Sequence, residues 1–564
     1  METKDAYSKK PWIKFYTEGV RAKIDYEKIC LHEMLERTVS KFGNNEALIF
    51  QGFRMTYTEL NNTVNRLACF LHKKGIKKGD VVSILLPNMI QTVAVYYAIV
   101  KIGGIVQMNN PLYTDRELAY QFNDSNSKFL ICLDLLAKRM IALRKETKIK
   151  EIVYTSLGDY LPPVKKALFK LVGKKKGMAA DIPSTENVYS WLEAINEDGI
   201  PPKIKIDFED TVAYQYTGGT TGAAKGVILT HKNLSCMVQM YQEWFPFLQN
   251  SHDEICISAP PIFHVLGMSA AMNLPISMGW TSVMVPKPQP KELLEATRKY
   301  KPTFSPMIPT MYVGMLQHPD LKKTDMKCYK LLTSGASSLP LEVLKQFKEL
   351  TGADINEGFG MTETSPQTHL NPGGASKTGS IGIPYPDTEV KIVDIKTGKK
   401  SMPIGKEGEM IFKGPQITKG YLNKPEETKK AIRNGWLYSG DIAYMDKDGY
   451  FFIVDRLKDL IVSSGYNVYP REIEEILYEH PKIQKAAAIG IPDNKKGESI
   501  KVFIVPNEGT TIDSNEVIEY CKEKLAKYKW PSTIEIRTSL PESNVGKILK
   551  KELKREEEEK RSAK

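Results

Sequence analysis

Residues 216–226 read Tyr216-Thr-Gly-Gly-Thr-Thr-Gly-Ala-Ala-Lys-Gly226, and no other segment of similar length is as informative. Residues 217–222 are three glycines and three threonines, and Lys225 follows closely. Unobstructed backbone N–H groups and hydroxyls donate hydrogen bonds to phosphate oxygens, and an ammonium neutralises phosphate charge. The segment therefore predicts a loop that holds a triphosphate, with a plain flexible loop as the alternative.

This loop differs from the P-loop of many ATPases. Lys225 lies between Ala224 and Gly226, so the Gly-Lys-Ser/Thr ending of a P-loop is missing. Residues 212–216 and 227–229 are apolar runs that read as strands. We therefore predict that the loop joins two strands rather than opening a helix, which excludes a P-loop ATPase.

Length and composition indicate a globular protein of several domains. The chain has 564 residues, 41% of them apolar and 26% charged, which is too long for one ordinary domain. No uncharged apolar run is long enough to cross a bilayer, and the first residues lack the apolar core of a signal peptide. We therefore expect a cytoplasmic location, with the seven scattered cysteines reduced.

The formal charge of +12 is compatible with nucleic acid, an anionic membrane or polyanionic small substrates. No zinc-finger or RNP-like signature supports a nucleic-acid partner, and we expect none. Residues 161–176 place apolar side chains beside six lysines, a pattern that suits a short amphipathic helix on anionic lipid. We expect reversible peripheral contact with the inner face of the membrane there, with a solvated basic surface loop as the alternative.

Strand-like and helix-like runs alternate through the first part of the chain, which predicts α/β layers with largely parallel sheets. The predicted strands are residues 81–86, 129–133, 152–154, 282–285, 304–308 and 329–332. The predicted helices are residues 90–102, 231–245, 291–300 and 341–350.

The pattern changes after residue 390. Short strands at 390–393, 409–412, 436–438 and 450–454 predict a small antiparallel or barrel-like subdomain. A compact α+β unit follows, with helices at 471–479 and 515–527, strands at 486–491, 501–505 and 533–537, and a charged helical tail at 547–564. We place the domain boundary between residues 457 and 458, which gives domains 1–457 and 458–564.

Further motifs occur in a fixed order around the loop. They are Pro261-Ile-Phe-His264, Ser334-Gly-Ala-Ser337, Glu357-Gly-Phe-Gly-Met-Thr-Glu363, Tyr438-Ser-Gly-Asp441, Asp455-Arg-Leu-Lys-Asp459 and Gly546-Lys547. Together with the loop, they resemble the acyl-adenylate-forming (AMP-binding) superfamily over roughly residues 30 to 550. The doubled glycine of the loop and Gly465-Tyr-Asn-Val-Tyr-Pro470 look most like bacterial long-chain fatty acyl-CoA synthetases.

The resemblance implies a fold and a reaction. The implied fold is a large N-terminal domain of two α/β subdomains plus a distorted β-barrel, followed by a small mobile α+β C-terminal domain. The implied reaction joins a carboxylate to the α-phosphorus of ATP, releasing pyrophosphate, after which coenzyme A displaces AMP. Mg²⁺ would accompany ATP, and a fatty acid or related carboxylic acid would be the substrate. A homodimer is left open.

The resemblance also implies roles for particular residues. Lys547 would stabilise the charge that develops on the α-phosphoryl group, and His264 would contact the carboxylate or gate the acyl pocket. Glu363 would bind Mg²⁺, Asp441 would accept hydrogen bonds from the ribose hydroxyls, and Phe359 would stack on adenine. The expected nucleotide and coenzyme contacts are Thr217, Gly218, Gly219, Thr220, Thr221, Gly222, Lys225, Gly335, Ala336, Glu357, Gly358, Phe359, Gly360, Met361, Thr362, Asp441, Arg456, Lys458 and Gly465.

Two of these residues are implied to act when the domains move. Lys458 falls where the superfamily hinges, and the loop around Gly465 would then be presented to coenzyme A. Three alternatives stay open for the function. One is a ligase for a medium-chain or aromatic acid, and another is an oxygenase or carrier-loading member of the superfamily. The third is a non-catalytic nucleotide- or lipid-binding relative, which would have no use for Lys547.

Overall fold

The computed structural model describes residues 6–217, 224–248, 253–463, 466–493, 496–543 and 546–562. Within them, the strands in chain order are β1 Glu46–Phe50, β2 Phe53–Thr56, β3 Val81–Leu85, β4 Ile105–Met108, β5 Phe129–Leu133, β6 Glu151–Thr155, β7 Val188–Ser190, β8 Thr211–Thr217, β9 Lys225–Thr230, β10 Ile255–Ser258, β11 Thr281–Met284, β12 Phe304–Met307, β13 Leu331–Ser334, β14 Ile355–Phe359, β15 His369–Leu370, β16 Ile383–Pro384, β17 Glu389–Val393, β18 Gly408–Lys413, β19 Gly420–Tyr421, β20 Ile432–Arg433, β21 Trp436–Met445, β22 Phe451–Arg456, β23 Ile461–Ser463, β24 Tyr466–Val468, β25 Ile483–Asp493, β26 Gly497–Pro506 and β27 Thr533–Ile536.

The helices of the same residues alternate with these strands. They are α1 Leu31–Phe42, α2 Tyr57–Lys73, α3 Ile90–Lys101, α4 Asp115–Asp124, α5 Asp134–Leu143, α6 Pro163–Val172, α7 Trp191–Ile195, α8 His231–Trp244, α9 Val265–Met268, α10 Leu274–Met278, α11 Pro290–Tyr300, α12 Pro309–Gln317, α13 Leu341–Thr351, α14 Pro425–Ala431, α15 Pro470–Tyr478, α16 Ser514–Lys524 and α17 Lys550–Ser562.

Two large sheets form the first part of the molecule. The nine-stranded sheet has the order β16-β15-β14-β13-β12-β10-β11-β1-β2, and the eight-stranded sheet has the order β19-β9-β8-β4-β3-β5-β6-β7. Their central strands are parallel, and antiparallel pairs are confined to the ends. Every residue of β3 and of β5 is buried, as is typical of parallel strands covered on both faces. The predicted α/β layers are confirmed.

Helix α3 explains how the first part is held together. Every residue from Ile90 to Val100 is buried and most of them are apolar, so this helix lies inside the core. Helices α1 and α2 pack against it, and their apolar side chains join the same core cluster. Burial of this many large apolar groups is the main force that stabilises the arrangement.

Strands β17, β18, β20, β21 and β22 form a separate antiparallel sheet. Its register shifts between Glu409 and Ile411 and again between Ile442 and Ala443. Such bulges increase local twist and bend a sheet. The prediction of a distorted, barrel-like antiparallel subdomain is confirmed.

The last unit is an α+β sandwich around the sheet β24-β23-β26-β25, with β27 on β26. Helices α15 and α16 bury Ile473, Leu477 and Val517 on one face, and α17 buries Leu553 on the other. The preceding antiparallel sheet ends at Arg456, the last residue of β22, and the sheet of the last unit begins with Ile461, the first residue of β23. The α+β unit is therefore confirmed. It contacts the preceding subdomain, since Tyr469 Oη donates to Glu407 Oε2 at 2.5 Å.

No helix among the described residues is long and apolar enough to span a membrane. All seven cysteines are free. Helix α6 occupies residues 163–172, inside the segment 161–176 for which the sequence predicts an amphipathic helix.

Candidate active site

The predicted phosphate loop is flanked by paired strands, as its sequence indicates. Strands β8 and β9 are antiparallel neighbours, and Thr217 pairs with Lys225. Gly218, Gly219, Thr220, Thr221 and Gly222 lie outside the described residues.

The loop lysine has two partners on the neighbouring segment 421–427. Lys225 Nζ lies 2.8 Å from Glu427 Oε2 and 4.9 Å from the centroid of the Tyr421 ring. Lys225 is thus paired with a partly exposed carboxylate of another segment. Because both partners are distant in sequence, only the fold reveals this pairing.

Glu363 is a buried carboxylate in the turn Thr362–Thr364. Tyr421 Oη donates a hydrogen bond to Glu363 Oε1 at 2.8 Å. Burial raises the pKa of Glu363, and this hydrogen bond and the positive charges of Lys225 and Arg456 oppose the rise. The carboxylate is therefore held in one place among groups that favour its ionised form.

These surroundings test whether Mg²⁺ fits. Among the described residues, no group of three or more His, Cys, Asp or Glu forms a metal cage. Mg²⁺ in nucleotide sites needs only one or two carboxylates, because phosphates and water supply the other oxygens. A single buried carboxylate beside the phosphate-loop lysine fits a metal that arrives with ATP.

The aromatic side chain expected to face adenine ends β14. The Phe359 ring packs against His369 and Phe412, with ring centroids 6.3 Å and 6.0 Å apart. Next to it, the Met361 N–H donates to Thr364 Oγ1 at 2.9 Å, and Thr362 is buried. The Phe359 ring is therefore fixed by aromatic neighbours, and the following turn is closed by its own threonine.

The glycines beside Phe359 have a packing reason of their own. A Cβ at Gly360 would lie 1.9 Å from the carbonyl oxygen of Pro366, and one at Gly358 would lie 2.8 Å from Gln367 Nε2. Both positions therefore allow the chain's own segment 366–367 to approach closely. The sequence pattern alone attributes the same glycines to the nucleotide.

Gly335 and Ala336 follow β13 at its carboxyl end. The Gly335 N–H donates to the carbonyl oxygen of Met307 at 3.2 Å. Ala336 has φ 70, in the left-handed region that costs an L-residue about 1–2 kcal/mol. Strained residues of this kind concentrate at functional sites.

Asp441 lies in a strand, at the point where β21 pairs with β22. It is opposite Arg456 in the antiparallel register, and Arg456 Nε lies 3.5 Å from Asp441 Oδ1. Burial raises the pKa of Asp441, and the charges of Arg456, Lys547 and Lys458 oppose the rise. A buried carboxylate on the central strand β21 thus lies beside three cations.

Lys547 reaches this cluster from the C-terminal unit. Burial, followed by the positive charges of Arg456 and Lys458, lowers the pKa of Lys547 to about 7, while Asp441 opposes the change. Its backbone is fixed: the Lys547 N–H donates to Ser543 Oγ at 3.1 Å, and its carbonyl accepts from the Ser543 N–H at 2.7 Å. The structure therefore brings the far end of the chain to Asp441.

His264 also faces Lys547. It caps α9, where its Nδ1 accepts the Leu266 N–H at 3.3 Å. Burial and then the charge of Lys547 lower the pKa of His264 to about 4. The ring is consequently neutral at pH 7, with Nδ1 as the acceptor and the proton on Nε2.

Lys458 belongs to the same electrostatic cluster. Desolvation and the charge of Arg456 lower its pKa to about 8. Gly465 lies outside the described residues.

Glu357 differs from the other predicted contacts. Burial raises its pKa to about 7, and its charged neighbours are Arg471 and Glu475 of helix α15. The Arg471 guanidinium Nη1 donates to the carbonyl oxygen of Ile453 at 2.8 Å. The structure thus places Glu357 against the C-terminal unit and not among the charges around Lys547.

Three residues that interact with the predicted site are not themselves predicted from the sequence: Tyr421, Glu427 and Arg471. Each acts on a predicted residue that is at least 58 positions away, as the hydrogen bond from Tyr421 to Glu363 shows. No local pattern marks such residues in a single sequence.

Most of the chain matches models of known protein families. The AMP-binding enzyme family matches residues 35–422, and the AMP-binding enzyme C-terminal domain matches residues 472–547. The chain belongs to the AMP-binding enzyme family. Within that family, it is 41% identical over 559 residues to a long-chain-fatty-acid–CoA ligase of Bacillus subtilis, covering 98% of this chain and 99% of the relative. It is also 33% identical to the long-chain-fatty-acid–CoA ligase of an Escherichia coli strain, covering 97% and 98%.

Solved structures of family members are similar throughout. The anthranilate CoA ligase AuaEII in complex with anthranoyl-AMP has a TM-score of 0.84 at 26% identity, covering 95% of this chain and 98% of that one. ATP-bound MatB from Rhodopseudomonas palustris has a TM-score of 0.81 at 28% identity, covering 94% and 99%.

Proposed function

We propose that this protein is an ATP-dependent acyl-CoA ligase that activates a long-chain fatty acid through an acyl-adenylate and transfers it to coenzyme A. The observation that carries the proposal is the position of Lys547. This lysine lies close enough to Asp441 and His264 to interact electrostatically with both side chains. A cation of the C-terminal domain is therefore beside a carboxylate and an imidazole of the N-terminal domain. Family membership and the names of the relatives support the substrate class.

In the first step, a carboxylate oxygen attacks the α-phosphorus of ATP, and the bond to the bridging oxygen of pyrophosphate breaks. Negative charge increases on the α-phosphoryl oxygens beside the attacking carboxylate. Lys547 as an ammonium stabilises this charge more in the transition state than in the ground state, which is the condition for catalysis. Asp441 holds the ribose by accepting hydrogen bonds from its hydroxyls.

His264 is suited to the acid substrate. Its Nδ1 is occupied by the Leu266 N–H, so its Nε2–H is the donor that remains. A neutral imidazole donates to one carboxylate oxygen without adding a second cation that would lower the nucleophilicity of the carboxylate. We infer that His264 orients the acid, whereas Lys547 serves the phosphate.

Glu363 and the loop complete the nucleotide site. Mg²⁺, when bound, would neutralise part of the phosphate charge. Glu363 would hold it, with Tyr421 fixing the carboxylate. Lys225 would exchange Glu427 for a phosphate oxygen. Phe359, Gly335 and Ala336 would border the base.

In the second step, the coenzyme A thiolate attacks the acyl carbonyl, and AMP leaves. We propose that domain 458–564 rotates on domain 1–457 between the steps, with Lys458 at the hinge and the segment around Gly465 turned toward coenzyme A. Such rotation withdraws Lys547 once pyrophosphate has left.

One acid panel tests the function. Acids from acetate to stearate, with benzoate and anthranilate added, are incubated with ATP and Mg²⁺, and AMP and acyl-CoA are measured with and without coenzyme A. We expect AMP and thioester in equal amounts, with the highest kcat/KM for long chains. A preference for medium-chain or aromatic acids would contradict the substrate class. A complete lack of AMP formation with every acid would support a non-catalytic relative.

We also propose that α6 docks reversibly on anionic lipid. Val164, Leu168 and Leu171 are 83%, 58% and 75% exposed, and their spacing places them within about 60° of one another around the helix axis. Phe169 faces the protein instead, since a Cβ at Gly158 would lie 2.6 Å from its ring. The helix therefore presents an apolar ridge beside lysines while Phe169 attaches it to the molecule.

Vesicle sedimentation tests this contact. We expect binding to vesicles with phosphatidylglycerol, weak binding to pure phosphatidylcholine, and loss when Val164, Leu168 and Leu171 are all changed to Ser. Leu192→Ser, at a site 63% exposed on α7, is the control and should bind as the wild type does. Equal binding to both lipids, or by the triple variant, would contradict the proposal. Light scattering on the same protein distinguishes a 63.7 kDa monomer from a homodimer, which the sequence leaves open.

A further inference from the structure

Gly546, which directly precedes Lys547, packs against the first turn of a helix in the other domain. Its backbone is left-handed, with φ 69. A Cβ at this position would lie 2.2 Å from Thr310 Cγ2 and 2.7 Å from Thr310 Oγ1. Thr310 Cβ, which no rotation of that side chain moves, would itself be only 3.0 Å away. Carbon atoms in favourable contact are about 3.5–4.0 Å apart, so a side chain at residue 546 is too close to Thr310 in every rotamer.

Thr310 lies on a rigid support. It is the second residue of α12, which follows strand β12 of the nine-stranded sheet. Two residues further on, Tyr312 is fully buried, and its Oη donates to the carbonyl oxygen of Thr333 at 2.9 Å. The Tyr312 ring also packs edge-on against Phe347 at 5.2 Å. The first turn of α12 therefore cannot retreat without disturbing the core.

The turn that carries Gly546 is equally constrained. The Gly546 N–H donates to the Ser543 carbonyl at 2.8 Å, and the Ser543 N–H donates to the Lys547 carbonyl at 2.7 Å. Glu542 and Ile548 form an antiparallel bridge that closes the base of the turn. Both sides of the contact are thus held by hydrogen bonds or core packing.

We propose that the contact between Gly546 and Thr310 sets how far Lys547 extends into the active site, which makes both of them positioning residues for adenylation. This inference rests on the proposed function. A Cβ at residue 546 would hold the turn back by roughly 1.3 Å in the present Thr310 rotamer, from the 2.2 Å contact, and by roughly 0.5 Å in any rotamer, from the 3.0 Å contact with Thr310 Cβ. A displacement of about 1 Å at a reacting group can lower a rate about 100-fold.

The proposal predicts a difference between the two half-reactions. Only adenylation requires Lys547 in the cleft, so Gly546→Ala should lower acid-dependent exchange of pyrophosphate into ATP about 100-fold or more. Thioester formation from supplied acyl-adenylate and coenzyme A should stay within about threefold of wild type, because the turn is then withdrawn from Thr310.

Second-site substitutions at Thr310 separate the clash from backbone strain. Thr310→Ala leaves a Cβ 3.0 Å from the new methyl group, whereas Thr310→Gly removes every side-chain atom. Exchange activity should therefore increase in the order Gly546→Ala, Gly546→Ala with Thr310→Ala, and Gly546→Ala with Thr310→Gly. Each double variant is compared with its own Thr310 single variant.

Gly509→Ala is the matched control for conformational strain. Gly509 has φ 75, is exposed in the same domain, and has no heavy atom within 4 Å of an added Cβ. We expect exchange activity within about twofold of wild type, since an isolated left-handed alanine costs only about 1 kcal/mol.

The possible results are distinct. Selective loss of exchange with graded rescue supports the contact as a positioning device. Equal loss of both half-reactions in Gly546→Ala, or no rescue by Thr310→Gly, would overturn it. If the wild-type protein itself shows no acid-dependent exchange, the proposed function fails, and this inference, which rests on it, fails with it.

Discussion

The lowered pKa of Lys547 predicts that ATP binding takes up a proton. With a pKa of about 7, the side chain carries its proton in about one molecule in eleven at pH 8. The phosphates of ATP favour the charged form and should return the pKa toward its usual value of about 10.4. Binding at pH 8 should therefore take up about 0.9 proton at this residue.

Titration calorimetry measures this uptake. Mg-ATP is titrated without acid substrate in buffers of different ionisation enthalpy, and the slope of observed enthalpy against buffer enthalpy gives the number of protons. Lys458, with a pKa of about 8, also takes up part of a proton, and it takes up less in Lys547→Met because the repulsion between the two cations is then absent. The difference between the two proteins at pH 8 should therefore be at least about 0.9 proton.

Two controls accompany the measurement. At pH 6, Lys547 is already protonated in about nine molecules of ten, so the difference between the proteins should fall to about 0.1 proton. His264 stays neutral at both pH values because its pKa is about 4. Equal uptake by wild type and Lys547→Met at pH 8 would refute the placement of this lysine beside the phosphates.

Three further substitutions test other contacts of the site. Asp441→Asn should weaken ATP binding, measured by calorimetry, by about tenfold to 100-fold, because a hydrogen bond to a charged group contributes about 1.5–3 kcal/mol. The affinity for 2′,3′-dideoxy-ATP, which lacks the ribose hydroxyls, should be unaffected. Equal losses of affinity for both nucleotides would mean that Asp441 does not bind the ribose. Tyr421→Phe removes the donor 2.8 Å from Glu363 and should raise the Mg²⁺ concentration for half-maximal exchange about tenfold, an effect that an unchanged Mg²⁺ titration would disprove. Arg471→Met leaves the Glu357 carboxylate buried without its neighbouring cation. The ratio of variant to wild-type exchange activity should therefore increase as the pH is lowered from 8.5 to 6, because Glu357 then takes up a proton. A ratio that does not change with pH would contradict an electrostatic interaction between Arg471 and Glu357.

Local patterns were sufficient for most of the fold. The apolar run at residues 81–86 predicts a strand and residues 90–102 predict a helix, and the structure has β3 Val81–Leu85 and α3 Ile90–Lys101. Burial on all sides makes such segments predominantly apolar, which is a signal that one sequence retains.

The prediction was shorter than the structure where polar residues enter a strand. Only residues 436–438 were predicted, but β21 continues to Met445 through Ser439, Gly440 and Asp441. These residues resemble a turn by composition. Pairing with β22 and a bulge accommodate them in the sheet instead. Asp441 is thus a strand residue.

The candidate site also contains both residues that the sequence identifies and contacts that it does not. Lys547, Asp441 and His264 were identified from ordered motifs, and the structure brings them together. Their roles stay predictions. The contacts of Thr310 with Gly546 and of Arg471 with Glu357 join segments more than 100 residues apart. Such pairs depend on how the two domains meet, and neither composition nor spacing along the chain records that.

The most direct test of the central claim separates the half-reactions of Lys547→Ala. Acid-dependent exchange of pyrophosphate into ATP and thioester formation from supplied acyl-adenylate are measured on one preparation, with Lys554→Ala, a lysine of α17, as the control. We expect exchange to disappear in Lys547→Ala, thioester formation to stay near the wild-type rate, and the control to retain both activities. Equal loss of both half-reactions, or retained exchange, would contradict the claim that Lys547 serves the α-phosphate in the first step.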